Sequence, residues 1–376
     1  MSPVRPFDYR VADSQGFALK PLDPSRFDAD GYADYAARLD EVCGKFWQSS
    51  SGLLVYRRFR SPEVFSYGCA DMKQSLAMQL AGLSTSMHFK TDVPNFLEPW
   101  YGNGALTAAF GADYEWPSGQ APSVRRMFRT VEEAISAQVV PVERTPTGRH
   151  ILNMIEFFLD QTRARVPISL TDTQSPMNVA LFLVDPSNLF LAMYDNPQGV
   201  KDLMNRIVGL QLEFARKQMQ LIGTALAKPG HGFASSTAFN GLGMSDDHML
   251  MLSDEQYREF EIPYIAGCGR PFGGAAFHSC GNWSAKVAAV LGIPGLQMVD
   301  GAFSPQTDPC PNQAEPFAAL RGSGVCLNAR IVGDADTVVN VAKKLHLPGM
   351  KTVIVTYCDS PEEQALAHQQ LHSLNG

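Results

Sequence analysis

Beyond about residue 80, short apolar and β-branched runs alternate with longer stretches whose apolar positions recur every three or four residues. The runs VPISL (166–170), GGAAFHSC (273–280), GLQMVD (295–300), GVCLNARI (324–331) and KTVIVTYC (351–358) predict buried strands. Between them, amphipathic spacing predicts a helix from about Pro186 to Ile222, interrupted at Asn196-Pro197, because a proline inside a helix breaks it. A second helix is predicted from Ser253 to Ala266; Ser253 and Gln256 have the spacing of a capping box. Strands alternating with helices are the pattern of βα units around a parallel sheet.

Residues 1–80 differ: helix-compatible segments at Tyr32–Phe46 and Ala70–Leu80, separated by the turn sequences PLDPS and SSSG, predict an N-terminal helical extension. The expected organisation is therefore an extension over 1–80 and a catalytic α/β domain over 81–376. Residues 100–122, rich in glycine, proline and aromatics, read as a long loop over one end of that domain, and loops of that length are often functional. GFAS (232–235) is a further possible strand.

Composition narrows the class. Apolar residues make up 45% and charged residues 18% of the 376-residue chain, enough for a large core and unlike a disordered segment. The net charge is −7, and no basic run supplies the electrostatic footprint of a nucleic-acid binder. The N-terminus MSPVRPFDYR lacks a signal-peptide apolar stretch, and nowhere do 18 uncharged apolar residues run together, so a cytoplasmic protein without membrane spans is expected. Seven cysteines without dense regular spacing do not make a disulfide framework, which leaves thiols for metal binding.

His278 and Cys280 stand two apart at the end of GGAAFHSC, so strand alternation turns both to one side. Gly281 lets the chain turn away at once. Cys358 closes KTVIVTYC, and the DSPEE that follows it reads as a helix start. If both strands belong to a barrel, their C-terminal ends lie on the face where such enzymes keep their sites. Three donors of Cys2His type suit catalytic zinc, since structural sites usually close with four protein ligands. The plain alternative is that a His and two Cys fill the core. Asp300, ending GLQMVD, would ligate the metal, orient His278 from behind, or serve as an ordinary rim carboxylate. Cys310 and Cys326 are weaker donors.

HSCGN (278–282) followed by a lone Cys358 near the last strand resembles the metal motif of the zinc-containing, corrinoid-linked methyltransferases of the uroporphyrinogen decarboxylase superfamily. DTQSPMNVALFLVDP (172–186), LSDEQYREFEIPY (252–264) and LNARI (327–331) resemble its barrel-rim segments, so that the resemblance spans about residues 84–376. It implies a (β/α)8 TIM barrel, Zn2+ held by His278, Cys280 and Cys358, and transfer of a methyl group from methylcobalamin on a separate corrinoid protein. The acceptor would be a small thiol such as coenzyme M or homocysteine, or a folate. YRRFRSP (56–62) does not match the decarboxylase's own tetrapyrrole signature. A metal-free decarboxylase-like lyase and a non-catalytic corrinoid-protein scaffold with structural zinc remain the alternatives.

Asp172, Gln174 and Asn178 follow VPISL and are candidate ligands for polar substrate groups, with turn formation and capping by Asp172 as the plain alternative. Asp247, in the cluster Asp246-Asp247-His248, is a further substrate-binding candidate, although solvation or capping explains that cluster equally well. His88, Glu98, Trp100 and Tyr101 would line a cofactor approach or simply pack the long loop. GLGMSD (241–246) lacks the third glycine of a dinucleotide fingerprint, and no P-loop, nucleophile elbow or zincin helix is present.

Overall fold

A computed structural model describes residues 19–375. Its strands are β1 (Gly52–Arg57), β2 (Tyr114–Glu115), β3 (Ser123–Val124), β4 (Leu242–Ser245), β5 (Ala275–His278), β6 (Leu296–Ala302), β7 (Cys326–Arg330) and β8 (Lys351–Thr356). β2 and β3 form a small antiparallel pair within and just beyond the long loop. The other six make a parallel sheet in the order β1-β8-β7-β6-β5-β4.

Backbone hydrogen bonds carry the ring round from β1 to β4 through irregular segments. Asp92 N donates to Val55 O, Leu97 N to Pro167 O, Ile168 N to Ala225 O, and Gly243 N to Pro229 O. Parallel bridges join Leu97 to Ile168 and Ile168 to Leu226. The architecture is an α/β barrel of TIM type, with six regular strands in its wall and irregular segments closing the rest. VPISL contributes a bridge at Ile168 and no full strand. GFAS is a turn, with Gly232 at φ +85°, and β1 is a barrel strand inside the segment expected to be a helical extension. The barrel therefore starts at residue 52, not near 81, because GLLVYR pairs in parallel with β8. Residues 1–18, including MSPVRPFDYR, lie outside the described residues.

Alternation along the strands separates two cores. Leu54, Tyr56, Val93, Phe233, Ala276, Met298, Cys326, Val353, Val355 and Tyr357 fill the barrel. Leu53, Val55, Phe277, Val299, Leu327 and Ile354 face the surrounding helices. Those helices include α1 (Ala29–Gln48), α2 (Met72–Ser86), α3 (Val131–Ser136), α4 (Pro146–Gln161), α5 (Pro176–Leu183), α6 (Pro186–Asp195) and α7 (Pro197–Ile222). Past β4 come α8 (Asp254–Phe260), α9 (Ile262–Gly269), α10 (Val287–Val290), α11 (Ala335–Leu345) and α12 (Pro361–His372).

The break between α6 and α7 falls at the expected dipeptide. Pro197 supplies the helical φ at N1, and the Asn196 side chain accepts from Gly199 N. α7 then buries Val200, Leu203, Met204, Ile207, Gln211, Phe214 and Gln218, a stripe at three- and four-residue spacing. Ser253 and Gln256 form the predicted capping box at α8. No helix among the described residues is long and apolar enough to cross a membrane.

Candidate metal centre

Register builds the site. In the parallel ladder His278 of β5 stands beside Asp300 of β6, and Asp300 beside Asn328 of β7. All three share the inward face, because Ala276, Met298 and Cys326, two residues earlier on each strand, lie in the barrel core. Arg330, two residues after Asn328, joins them by the same alternation.

His278 Nδ1 is 2.6 Å from Asp300 Oδ2, and Arg330 Nε donates to the same oxygen at 3.0 Å. Asn328 Nδ2 donates to Asp300 Oδ1, while Asn328 Oδ1 accepts from Ala234 N. Burial alone would raise the Asp300 carboxyl, but the Arg330 guanidinium and the His278 hydrogen bond outweigh it and hold its pKa at about 2. A permanently ionised carboxylate at Nδ1 keeps the proton on that nitrogen and aims Nε2 into the barrel mouth.

Nε2 lies 3.4 Å from Cys280 Sγ and 3.9 Å from Asp247 Oδ1, and these three donors converge within 4.8 Å of one another. Zn–S of about 2.3 Å and Zn–N of about 2.0–2.1 Å at tetrahedral angles separate N and S by roughly 3.5 Å, so the pair fits the ion. The Asp247–His278 separation is about half an ångström longer than that geometry asks. A Cys, a His and one carboxylate form a mixed donor set that suits zinc and leaves a coordination place for a ligand.

The loop that carries Cys280 is tied down from several sides. Cys280 N donates to Asp247 Oδ1 at 2.7 Å. Gly281, at φ +75°, turns the chain and donates to Asp308 Oδ2 at 2.7 Å, and Asn312 Oδ1 accepts from Trp283 N. Cys310 is exposed and donates its backbone N–H to Asp308.

Cys358 does not join this set. Two residues past the end of β8 and one past the inward Tyr357, it faces outward and packs with Ala335 and Ala367. Burial pushes its thiol up to about 11, and its carbonyl accepts from Arg57 Nε. Strand alternation puts 357, not 358, on the barrel side; the third converging donor is Asp247, which the sequence placed among the substrate contacts. Cys326 is buried in the barrel core.

Asp172, Gln174 and Asn178 are linked in one chain of hydrogen bonds. Trp100 Nε1 donates to Asp172 Oδ2, Gln174 Nε2 to Asp172 Oδ1, and Asn178 Nδ2 to Gln174 Oε1 and Ser245 O. Asn178 Oδ1 accepts from His248 N. The chain locks the segment before α5 onto β4, and Ser175, not Asp172, caps α5. Behind Asp247, Asp246 and Glu261 are buried, and burial raises both, Asp246 to about 7.

On the opposite wall, sequence reasoning named Glu98 but missed its partners His231 and Arg58. Buried Glu98 lies 2.7 Å from His231 Nδ1 and 3.6 Å from Arg58, and Phe233 meets the His278 ring at 6.4 Å. Tyr101 stacks on His150, and His88 is exposed at the end of α2. Polar Asn328 and Arg330 at alternate positions of a buried strand, with Arg58 two residues past Tyr56, were the available signal.

Residues 105–229 match the family model described as uroporphyrinogen decarboxylase (URO-D). That third of the chain lies upstream of His278 and Cys280, so it speaks for the scaffold and not for the metal donors. Among solved structures the chain is similar to a methyltransferase from Methanosarcina mazei, with a TM-score of 0.57 and 14% identity over 81% of this chain and 86% of that one. At that identity the likeness establishes the fold. Both findings agree with the superfamily resemblance carried by HSCGN. No curated protein matches this chain.

Proposed function

We propose that this chain is a zinc-dependent methyltransferase that moves a methyl group from a methylated corrinoid, carried on a partner protein, to a small thiol or folate acceptor. The observation that carries the reading is the convergence of His278 Nε2, Cys280 Sγ and Asp247 at the C-terminal end of a barrel strand, with Asp300 fixing the imidazole from behind. The name of the structural neighbour supports the reaction class, and the corrinoid donor rests on the HSCGN resemblance.

His278, Cys280 and Asp247 would hold the ion. Zinc bound there supplies a Lewis acid that favours the ionised form of an acceptor sulfur. Asp300 and Arg330 hold the imidazole in one tautomer and one orientation. Asp247 also fixes the Cys280 backbone, so the thiol is presented without a search over loop conformations. The Phe233 ring, 6.4 Å from the His278 imidazole, walls that side of the site with apolar surface and limits water there. Positioning the acceptor against the donor's methyl group is where most rate enhancement is available, about 7–11 kcal/mol for well-oriented reactants.

The family model's own name speaks for a second reading, a metal-free lyase acting on a carboxylated ring compound. One experiment separates the two: untagged protein is assayed for zinc by mass spectrometry, then mixed with methylcobalamin and candidate thiols while the cobalamin spectrum is followed. Bound zinc that falls by one equivalent per chain in Cys280→Ala and thiol-dependent demethylation are expected. A protein purified without zinc, unable to bind it and inert toward methylcobalamin, would sink the methyltransferase reading. Zinc binding with no demethylation by any thiol or folate would point to the scaffold.

A further inference from the structure

A second convergent donor set lies away from the barrel mouth. On α12, Gln364, His368 and His372 are spaced four residues apart and therefore share a face. All three side chains reach the segment before the second wall position: Gln364 Nε2 donates to Lys90 O at 2.8 Å, His368 Nε2 lies 3.0 Å from Asp92 Oδ1, and His372 Nε2 lies 2.8 Å from Asp92 Oδ2. The two rings are tilted, with centroids 4.5 Å apart. Asp92 Oδ2 also accepts from Val55 N at 2.7 Å, so the backbone of β1 orients the carboxylate. Asp92, His368 and His372 are each partly exposed.

We propose that Asp92, His368 and His372 form a second divalent metal site, of the zinc class, that ties the C-terminal helix to the first barrel strand. Two imidazoles at i, i+4 on a helix and one carboxylate are donors that suit zinc, nickel or copper over magnesium or calcium. Zinc–ligand bonds of about 2.0–2.2 Å at tetrahedral angles set donors roughly 3.3–3.5 Å apart, so the present 2.8 and 3.0 Å contacts need to open by about half an ångström. The ion would displace the protons shared between each imidazole and the carboxylate. Nothing in the proposed methyl transfer uses these residues.

The test isolates this site from the barrel mouth. Untagged Cys280→Ala protein is titrated with zinc against a chromophoric chelator at pH 7.5, and again with His368→Gln and His372→Gln added. One equivalent is expected in Cys280→Ala, with at least a tenfold loss of affinity in the triple variant and unchanged circular dichroism. Should the triple variant misfold, His372→Gln alone, on a partly exposed ring, should still lower the affinity. Cobalt in Cys280→Ala should give visible d–d bands without thiolate charge transfer. The proposal is overturned if Cys280→Ala binds no zinc, or if its affinity is unmoved by the histidine substitutions. The difference between wild type and Cys280→Ala reports separately on the barrel-mouth centre.

Discussion

His278 and Asp300, 22 residues apart in the chain, meet at 2.6 Å between Nδ1 and Oδ2 because neighbouring parallel strands hold them at the same level on the same face. Asp300 is buried and also accepts from Arg330 and Asn328. In the proposed zinc centre it would therefore act through the imidazole it orients, not as a ligand.

Replacing that carboxylate tests the point. Asp300→Asn keeps the shape but removes the charge that fixes the His278 tautomer, and a roughly 10–100-fold loss of zinc affinity or activity is expected. Competition with a chelator measures the first and methylcobalamin consumption the second. Unchanged values for both would reduce Asp300 to a structural partner of Arg330.

The two cysteines should separate. Cys280→Ala is expected to remove zinc and activity from the barrel mouth while the fold persists, because the donor sits on an exposed loop. Cys358→Ala should retain both and cost about 1 kcal/mol of stability from lost packing against Ala335 and Ala367. Zinc analysis and urea unfolding of the two variants decide it; loss of zinc in Cys358→Ala would restore that thiol to the ligand set.

Glu261 gives a pH-dependent signature. Burial, reinforced by Asp246, raises its carboxyl well above the ordinary value, so the fold binds a proton that the unfolded chain releases more readily. The stabilisation is complete below the unfolded carboxyl value of about 4.3 and is lost as pH rises through the elevated folded value. Glu261→Gln, neutral at every pH, should flatten that decline and be more stable than wild type at alkaline pH. Denaturant unfolding from pH 5 to 9 reads the slope, and parallel curves for the two proteins would contradict the assignment.

Asn178 distinguishes a supporting network from a substrate contact. Its amide bonds Gln174, Ser245 and His248, and truncation to alanine strands buried partners at a cost of about 1–3 kcal/mol. Chemical denaturation should show that loss. A raised KM at full stability would instead place Asn178 against the acceptor.

Local chemistry determined much of this protein. Asparagine and proline at 196–197 fix a helix junction, Ser253 and Gln256 fix a helix start, and the short apolar runs from 273 onward fix four parallel strands, since each depends on neighbours in sequence. The pairing of His278 with Cys280 was legible for the same reason, being a matter of strand period. Tertiary structure alone decided the rest. GLLVYR became the first barrel strand because β8 offered it a partner 300 residues away. Alternation turned Cys358 outward once Tyr357 filled the barrel, and the short 3-10 helix after β4 brought Asp247 beside His278. Asp92 met His368 and His372 for the same physical reason: closing a barrel joins chain ends whose contacts no local pattern encodes.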